Sequence, residues 1–225
     1  MPNRKTAEDR KAELVEVTLR LADKVGPDRL STEAIADAVG VTQAAIFRHF
    51  PKKQDLWEAV AARIGETFQG RWTKVERLDV SSEQKLRRLI LGQLKLIRST
   101  PAIPAILFSR ELHVENDRLR KVLFGLMQRF HGLAARFIRE GQRTREFRPD
   151  VDADDAAFLV IGTVQGLVLR WSLSKRGFDL VAEGERLLGV LLRGFQTPAN
   201  RPAAIDPVGT DAPEAPSRST SGGPS

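Results

Sequence analysis

Hydrophobic residues recur along this 225-residue chain mostly at intervals of three and four, a spacing that places them on one side of an α-helix. No window alternates apolar and polar residues over a length that would predict a β-strand. The spacing predicts helices at Ala7–Val25, 53–70, 86–97, 101–114, 117–141, Ala153–Leu173 and 179–195, besides two short ones within 31–51. We therefore expect an all-α fold of about nine helices.

The segment 31–51 carries two short amphipathic patterns separated by a glycine. Gly40 is expected to end the first helix, because glycine adopts the left-handed conformation at little cost. Thr42 can cap the second helix, and Pro51 ends it because the residue before a proline avoids the helical region. Helix, tight turn and helix is the helix-turn-helix layout, in which the start of the second helix meets base edges in the major groove.

The residues of this motif resemble the signature of TetR-family transcriptional regulators. The matching positions are Gly40, Val41, Thr42, Ile46, Phe47, Arg48, His49, Phe50, Lys53 and Leu56, within a resemblance that spans residues 10–65. It implies an N-terminal arm and three-helix DNA-binding domain over 1–52, and a C-terminal helical effector-binding and dimerisation domain over 53–196, linked by the helix 53–70. It also implies a homodimeric repressor on a palindromic double-stranded DNA operator, released by a small-molecule effector.

The family match assigns DNA contacts to both helices of the motif and to the residues just beyond them. These candidates are Thr32, Glu33, Thr42, Gln43, Ala44, Ala45, Phe47, Arg48, His49 and Lys53. Gln43 is the sharpest base-reading candidate, because its amide offers a donor and an acceptor to a purine edge. His49 and Lys53 match phosphate-holding positions. Thr32 and Thr42 do so as well, and both can also act as helix caps.

Three candidates depart from the family pattern. Phe47 replaces a common tyrosine, so a phenolic contact is absent, although the adjacent Arg48 can contact a phosphate or a base instead. Glu33 places a carboxylate where some members have a basic residue, and it repels phosphate unless it accepts from a cytosine amine. Ala44 replaces a frequent glycine. We expect these changes to alter the operator sequence rather than to abolish DNA binding.

Two C-terminal helices predict the dimer surface. Gly162 and Gly166 lie four residues apart in Ala153–Leu173 and would let two helices approach closely. The segment 179–195 carries an apolar run, Leu187, Leu188, Val190, Leu191 and Leu192, that is unusual for a solvated helix. Two helices from each subunit would form a four-helix bundle. The same residues could instead belong to the core of one chain, and the sequence leaves both interpretations open.

The resemblance also implies an effector pocket in the C-terminal domain. Its candidate residues are Phe108, Leu112, His113, Leu126, Phe130, His131, Phe158, Gln165 and Trp171. Each apolar candidate could equally be a core residue. An acidic, lipophilic effector would suit Arg110 and the basic surplus of this domain, since residues 71–148 carry a net charge of +10 and residues 1–53 only +2. No cofactor or metal is expected, because His and acidic residues form no tight ligand cluster.

Composition narrows the class of protein. The net charge is +7 and 41% of the residues are hydrophobic, which is typical of a globular chain with a substantial core. The chain has no Cys, no glycine-rich phosphate loop and no sequence context for a Ser/His/Asp nucleophile, so an enzyme is not expected.

Both ends of the chain are polar. Arg4, Lys5, Arg10 and Lys11 could let an N-terminal arm reach the minor groove, although such arms are often simply solvated. The Pro/Ser/Gly-rich segment 197–225 is expected to be disordered. No apolar run approaches the roughly 18 residues that span a bilayer. We therefore expect a cytoplasmic, nucleoid-associated protein without a membrane partner.

Two other functions remain open. The run AAIFRHFPKK also resembles that of the TetR-like nucleoid-occlusion factor, which would act through protein partners at many chromosomal sites without a small-molecule effector. A non-specific DNA-coating protein is the third interpretation, but the low net charge of residues 1–53 disfavours it.

Overall fold

A computed structural model describes residues 6–197, and this part of the chain forms ten α-helices and no strand. The helices are α1 (Ala7–Val25), α2 (Thr32–Val39), α3 (Gln43–His49), α4 (Lys53–Glu76), α5 (Ser82–Ser99), α6 (Ala102–Phe108), α7 (Arg110–Glu115), α8 (Asp117–Arg143), α9 (Ala153–Leu173) and α10 (Leu180–Phe195). The predicted all-α class is confirmed. Arg4 and Lys5 of the predicted arm lie outside the described residues, as do residues 198–225 of the predicted disordered segment 197–225.

One helix more than the predicted nine is present, because Ser109 divides the segment 101–114. Its backbone is extended, with φ −71° and ψ 107°, and its hydroxyl caps α7 by accepting from the Leu112 N–H at 3.1 Å. The same hydroxyl donates to the carboxylate of Asp28, between α1 and α2. A hydrogen bond to a distant part of the chain therefore accompanies the break between α6 and α7. The local hydrophobic spacing does not predict this bond.

Helices α1 to α3 form the N-terminal unit that contains the helix-turn-helix, which is termed the reading head. Leu14, Ile35 and Ile46 bring one side chain from each helix into a common core, and each is only 1% exposed. Gly40 ends α2 in the left-handed conformation, with φ 72° and ψ 39°. Thr42 caps α3 by accepting from the Ala45 N–H at 3.3 Å. The local signals in the sequence thus produce the predicted turn between the two helices.

Helix α4 joins the head to the remaining helices. At its N-terminal end Leu56 and Trp57 are buried, and near its C-terminal end Phe68 and Trp72 are buried as well. The helix packs against α1 of the head and against α5 and α8 of the second domain. It extends to Glu76, six residues beyond the predicted end. A continuous helix therefore connects the two regions.

The second domain is built around α8, which packs against α4, α5 and α9, while α10 packs against α5 and α9. The loop after α8 is attached to the start of α5 by Glu146, whose carboxylate accepts from the backbone N–H groups of Ser82 at 3.2 Å and Glu83 at 2.9 Å. Burial pushes the pKa of Glu146 upward, but these bonds and one from the Thr144 hydroxyl outweigh it and lower the pKa below its ordinary value. The ionised carboxylate therefore stabilises this junction.

Helix α9 corrects one prediction from the sequence. By length and composition it could cross a membrane, with a mean hydropathy of 1.5 over its most apolar window, whereas no such segment was expected. Its packing accounts for this composition in another way. Val160, Val164 and Trp171 are buried among α9's neighbours, whereas Phe158 and Leu173 are exposed on another side. The helix is apolar because one side enters the core and another forms an exposed apolar face.

Candidate nucleic-acid interface and internal cavity

The predicted DNA contacts lie on the α2–α3 side of the head and at the start of α4. Those exposed to solvent are Glu33, Thr42, Gln43, Ala44, Phe47 and Arg48, whereas Ala45, His49 and Lys53 are half-buried and Thr32 is buried. Phe47, a large apolar side chain, is 40% exposed. The surface thus combines polar, cationic and apolar groups within a short helix, as base and backbone contacts require.

The side chain of Gln43 is exposed and is also hydrogen-bonded to α2. Its side-chain Nε2 donates to the Thr32 hydroxyl at 2.6 Å. The sequence predicted that Gln43 points into the groove and that Thr32 contacts phosphate, but it did not predict a bond between them. The amide of Gln43 retains its carbonyl and one N–H for a base edge. Thr32 therefore orients the base-reading candidate.

Positive charge on this surface is not neutralised by neighbouring acids. Within residues 6–197, neither Arg48 nor Lys53 forms an ion pair. In contrast, Arg10 pairs with Glu13 at 2.7 Å and Lys11 with Glu8 at 3.3 Å, all within α1. The predicted contribution of Arg10 and Lys11 to an arm would require these pairs to open, whereas Arg48 and Lys53 are available to phosphates as they stand.

An internal cavity of about 70 Å³ lies between α4, α5, α6, α8 and α9. Its walls are formed by Ile64, Phe68, Trp72, Gln93, Ile97, Ile103, Leu107, Phe108, Leu123, Leu126, Met127, Phe130, Ile161, Val164, Gln165 and Val168. No charged residue is among them, and Gln93 and Gln165 are the polar members. Trp72 stacks on Phe68, with ring centroids 5.8 Å apart, and packs against Phe130 at 5.6 Å. The cavity therefore offers an aromatic and aliphatic surface with two amide groups.

The structure brings only some of the predicted effector residues together. Phe108, Leu126, Phe130 and Gln165 line the cavity. Leu112, His113, His131, Phe158 and Trp171 do not, nor does Arg110.

The residues outside the cavity have other surroundings. His131 lies with its Nε2 atom 3.1 Å from the Asp154 carbonyl oxygen, and its ring packs against Phe158 at 4.3 Å. Phe158 itself is 65% exposed. Trp171 is buried and lies under the guanidinium of Arg176 at 5.7 Å. Helical spacing identified the apolar side of each helix, but it could not show which of these sides enclose a common space.

The sequence prediction also missed part of the cavity wall. Ile64, Phe68 and Trp72 follow one another at intervals of four along α4, and their spacing indicated burial without revealing the cavity. Gln93 was not a candidate, although a polar residue on an otherwise apolar helix face is a recognisable signal. It accepts a hydrogen bond from the Trp72 indole N–H at 3.4 Å.

The cavity and the reading head share structural elements. Helices α4 and α6 line the cavity and also pack against α1. The Ser109 hydroxyl at the end of α6 donates to Asp28 in the head. The Asn116 side chain, which caps α8, donates to the Gln54 carbonyl oxygen at 3.2 Å. A displacement of these walls would therefore act on the head directly.

The exposed apolar residues and glycines of α9, together with one exposed apolar residue of α10, are termed the apolar face. It consists of Phe158, Leu159, Gly162, Gly166, Leu169, Leu173 and Val190. A Cβ atom added at Gly162 or Gly166 would meet nothing within 4 Å in the protomer. Leu188 and Leu192, in contrast, are buried in the core. The core interpretation therefore holds for Leu188 and Leu192, whereas the exposed residues leave the dimer surface a prediction.

Known proteins resemble the chain in sequence and in fold. It is 27% identical over 170 residues to the nucleoid occlusion factor SlmA of Actinobacillus pleuropneumoniae, covering 74% of this chain and 83% of that protein. Its fold is similar to a transcriptional regulator of Saccharomonospora viridis in complex with choline, with a TM-score of 0.73, 24% identity and coverage of 82% and 96% of the two chains. The regulator FadR of Bacillus subtilis in complex with stearoyl-CoA gives a TM-score of 0.70 at 18% identity, covering 82% and 99%.

Family models match both regions of the chain. The model of bacterial regulatory proteins of the tetR family matches residues 14–60, which contain the helix-turn-helix. The model of the C-terminal region of YsiA-like proteins matches residues 63–194, which is more than half of the chain and includes the cavity and the apolar face. This is a family of transcriptional regulators rather than enzymes. The chain therefore belongs to the TetR family and is a DNA-binding transcriptional regulator.

Proposed function

We propose that the protein is a homodimeric repressor that binds a palindromic operator and is released from it by a small-molecule effector. The observation that carries this proposal is the double role of α4 and α6, which line the cavity and pack against α1 of the reading head. A ligand changes DNA affinity only if it binds one arrangement of the heads more tightly than the other. Helices common to both sites provide that coupling.

The size of the cavity supports effector-driven movement. Its volume is about 70 Å³, about half of the 150 Å³ cavity that holds benzene in an engineered protein. Any larger molecule must push the walls apart. Movement of α6 would act on the Ser109–Asp28 hydrogen bond, and movement of α8 on the bond from Asn116 to the Gln54 carbonyl. The effector would thereby reposition the head.

A dimer is needed because one helix-turn-helix reads only a few base pairs. The apolar face on α9 and α10 is the proposed contact, since it is exposed in the protomer and contains two glycines at which an added Cβ would meet nothing within 4 Å. A twofold arrangement would place two heads on the same side of a duplex. Gln43 would read bases there, and Arg48, His49 and Lys53 would contact phosphates. The regulator would act in the cytoplasm, on the nucleoid.

Selection from a random duplex library with the full-length protein tests this function. We expect a palindrome with two half-sites, bound by one dimer. Mutating Gln43 to Ala should relax one base position in each half-site and leave non-specific binding unchanged. Enrichment of single, unpaired half-sites would contradict the dimeric mode, and no enrichment would contradict sequence-specific recognition.

A second candidate function follows from the similarity to SlmA over 74% of this chain. In that case the protein would act through protein partners at many chromosomal sites. Mapping bound sites across the source genome separates the two functions. One or two palindromes beside regulated genes would support the repressor, whereas dozens of scattered sites insensitive to small molecules would support the alternative.

A further inference from the structure

A basic groove opens on the surface directly beside the cavity, between α4 and α5. It is lined by Phe68, Arg71, Trp72, Lys74, Val75, Arg88, Leu89, Gly92 and Gln93. Three of these residues, Phe68, Trp72 and Gln93, also line the cavity. The groove and the cavity are therefore the two sides of one thin wall.

One hydrogen bond between side chains lies within this wall. The Trp72 indole donates to the Gln93 carbonyl oxygen at 3.4 Å, which is longer than a typical N–H···O hydrogen bond. A rotation of Gln93, which is half-buried, would open this contact without moving the backbone of α4 or α5. A chain that joins the groove to the cavity would have to displace side chains among these three shared residues.

The three cations of the groove have no acidic partner. Arg71, Lys74 and Arg88 are exposed, no acidic residue lines the groove, and none of the three forms an ion pair within residues 6–197. Other arginines of the same domain are neutralised. Arg87 pairs with Glu83 at 2.8 Å, and Arg136 pairs with Glu76. Positive charge is thus left uncompensated at the opening of an uncharged cavity.

We propose that the effector is a single-chain anionic amphiphile. Its alkyl chain would occupy the apolar cavity, and its carboxylate or phosphate head would lie in the basic groove beside Arg71, Lys74 and Arg88. This inference rests on the proposed function, because it names the ligand of the same cavity. The cavity itself cannot neutralise a charged head, since its polar residues are two glutamines. The charged headgroup of the ligand must therefore remain outside the cavity, in the groove where the three cations lie.

The choice of an anion comes from the groove and not from the structural relatives. Their ligands are choline in one protein and stearoyl-CoA in another, and both proteins share less than 25% identity with this chain. Arg110, a candidate partner for an acidic effector on sequence grounds, does not line the cavity or the groove. The cations on α4 and α5 take that role instead.

The test is a calorimetric titration of the full chain with four ten-carbon ligands: decanoate, decyl phosphate, decanol and decylamine. Operator binding is followed in parallel by fluorescence anisotropy. We expect both anions to bind more tightly than decanol, and decylamine to bind most weakly because its head would face three cations. The preference between carboxylate and phosphate distinguishes a fatty acid from a phosphorylated lipid.

Substitution of the three cations locates the charged headgroup of the ligand. Replacing Arg71, Lys74 and Arg88 together by Gln should weaken anion binding roughly 3- to 150-fold, if each exposed pair contributes as surface ion pairs do, and leave decanol unchanged. All three side chains are exposed, so the fold should be retained, which a thermal melt verifies. The control is Arg129→Gln, which removes a cation from the neighbouring groove between α4 and α8 and should have no effect.

Three outcomes would overturn the inference. These are equal binding of decanol and decanoate, loss of anion binding in the Arg129 variant instead of the triple variant, and no binding of any of the four ten-carbon ligands. If decanol alone releases the operator, the repressor function stands and the anionic ligand is wrong. If the anions bind but the operator remains bound, the ligand class stands and the proposed release is wrong.

Discussion

Replacing Gly166 by Leu should separate the dimer without unfolding the protomer. Gly166 is exposed on α9, and an added Cβ would meet nothing within 4 Å, so a leucine there leaves the core of one chain intact. Leucine also favours a helix over glycine by about 0.8 kcal/mol, so the protomer should be at least as stable. In the dimer, two leucines would meet where the twofold-related helices approach each other.

The expected magnitude follows from overpacking. Inserting a side chain into a packed contact costs about 1–3 kcal/mol, and the twofold axis makes this about 2–6 kcal/mol per dimer. The dimer Kd should therefore rise roughly 30-fold to more than 10⁴-fold. Sedimentation velocity over a concentration series measures this shift, and operator binding should weaken with it.

A glycine elsewhere provides the control. Gly70 is exposed on α4 and also has nothing within 4 Å of an added Cβ, but it lies away from the apolar face. Gly70→Leu should leave the dimer unchanged. If Gly166→Leu dimerises as tightly as the unmodified protein, the proposed contact on α9 is wrong. If it unfolds instead, Gly166 is not the exposed residue on which the reasoning depends.

Three further predictions concern the head, the connection between the domains and the α5 junction. Gln43→Ala should lower affinity for the selected operator roughly 5- to 150-fold, the value of one bidentate base contact, and leave random duplex binding unchanged in anisotropy titrations; equal losses on both duplexes would remove Gln43 from base reading. Ser109→Ala should retain operator and ligand binding but reduce the ratio of operator Kd with and without ligand, because α6 loses its bond to Asp28; an unchanged ratio would exclude this bond from the coupling. Glu146→Gln should destabilise the fold by about 1–3 kcal/mol in urea denaturation at pH 7, since charge-assisted bonds to two backbone N–H groups are weakened. The folded-state pKa of Glu146 is lowered, so its stabilisation is present above the ordinary value of 4.5 and is lost as the pH falls through the lowered value; a variant difference that persists undiminished at pH 2 would contradict this assignment.

The reading head could be predicted closely because its signals are local. Gly40 is left-handed and Thr42 caps α3, each as the sequence indicates. Caps and turns depend on residues that are close in the sequence, so the sequence alone predicts them. The bond between Gln43 and Thr32 was not foreseen, because it joins residues eleven positions apart on two helices.

The C-terminal domain was less predictable because its key features are tertiary. The break at Ser109 coincides with a hydrogen bond to Asp28, 81 residues away, and the Glu146 junction reaches 63 residues back to Glu83. Neither leaves a periodic pattern in the sequence. Of the effector candidates, Phe158 is exposed and Trp171 is buried beneath Arg176. Their apolar character identified packing, but only the relative positions of the helices show which side chains enclose the cavity.

Reciprocal linkage tests the proposed coupling between the cavity and the reading head most directly. Operator Kd would be measured with and without a saturating concentration of whichever of the four ten-carbon ligands binds most tightly. The Kd of that ligand would be measured with and without saturating operator. Coupling through α4 and α6 predicts that both constants rise by the same factor, at least about fivefold, because linkage between two binding sites is reciprocal. A ligand that binds the cavity while operator Kd stays unchanged would contradict the account.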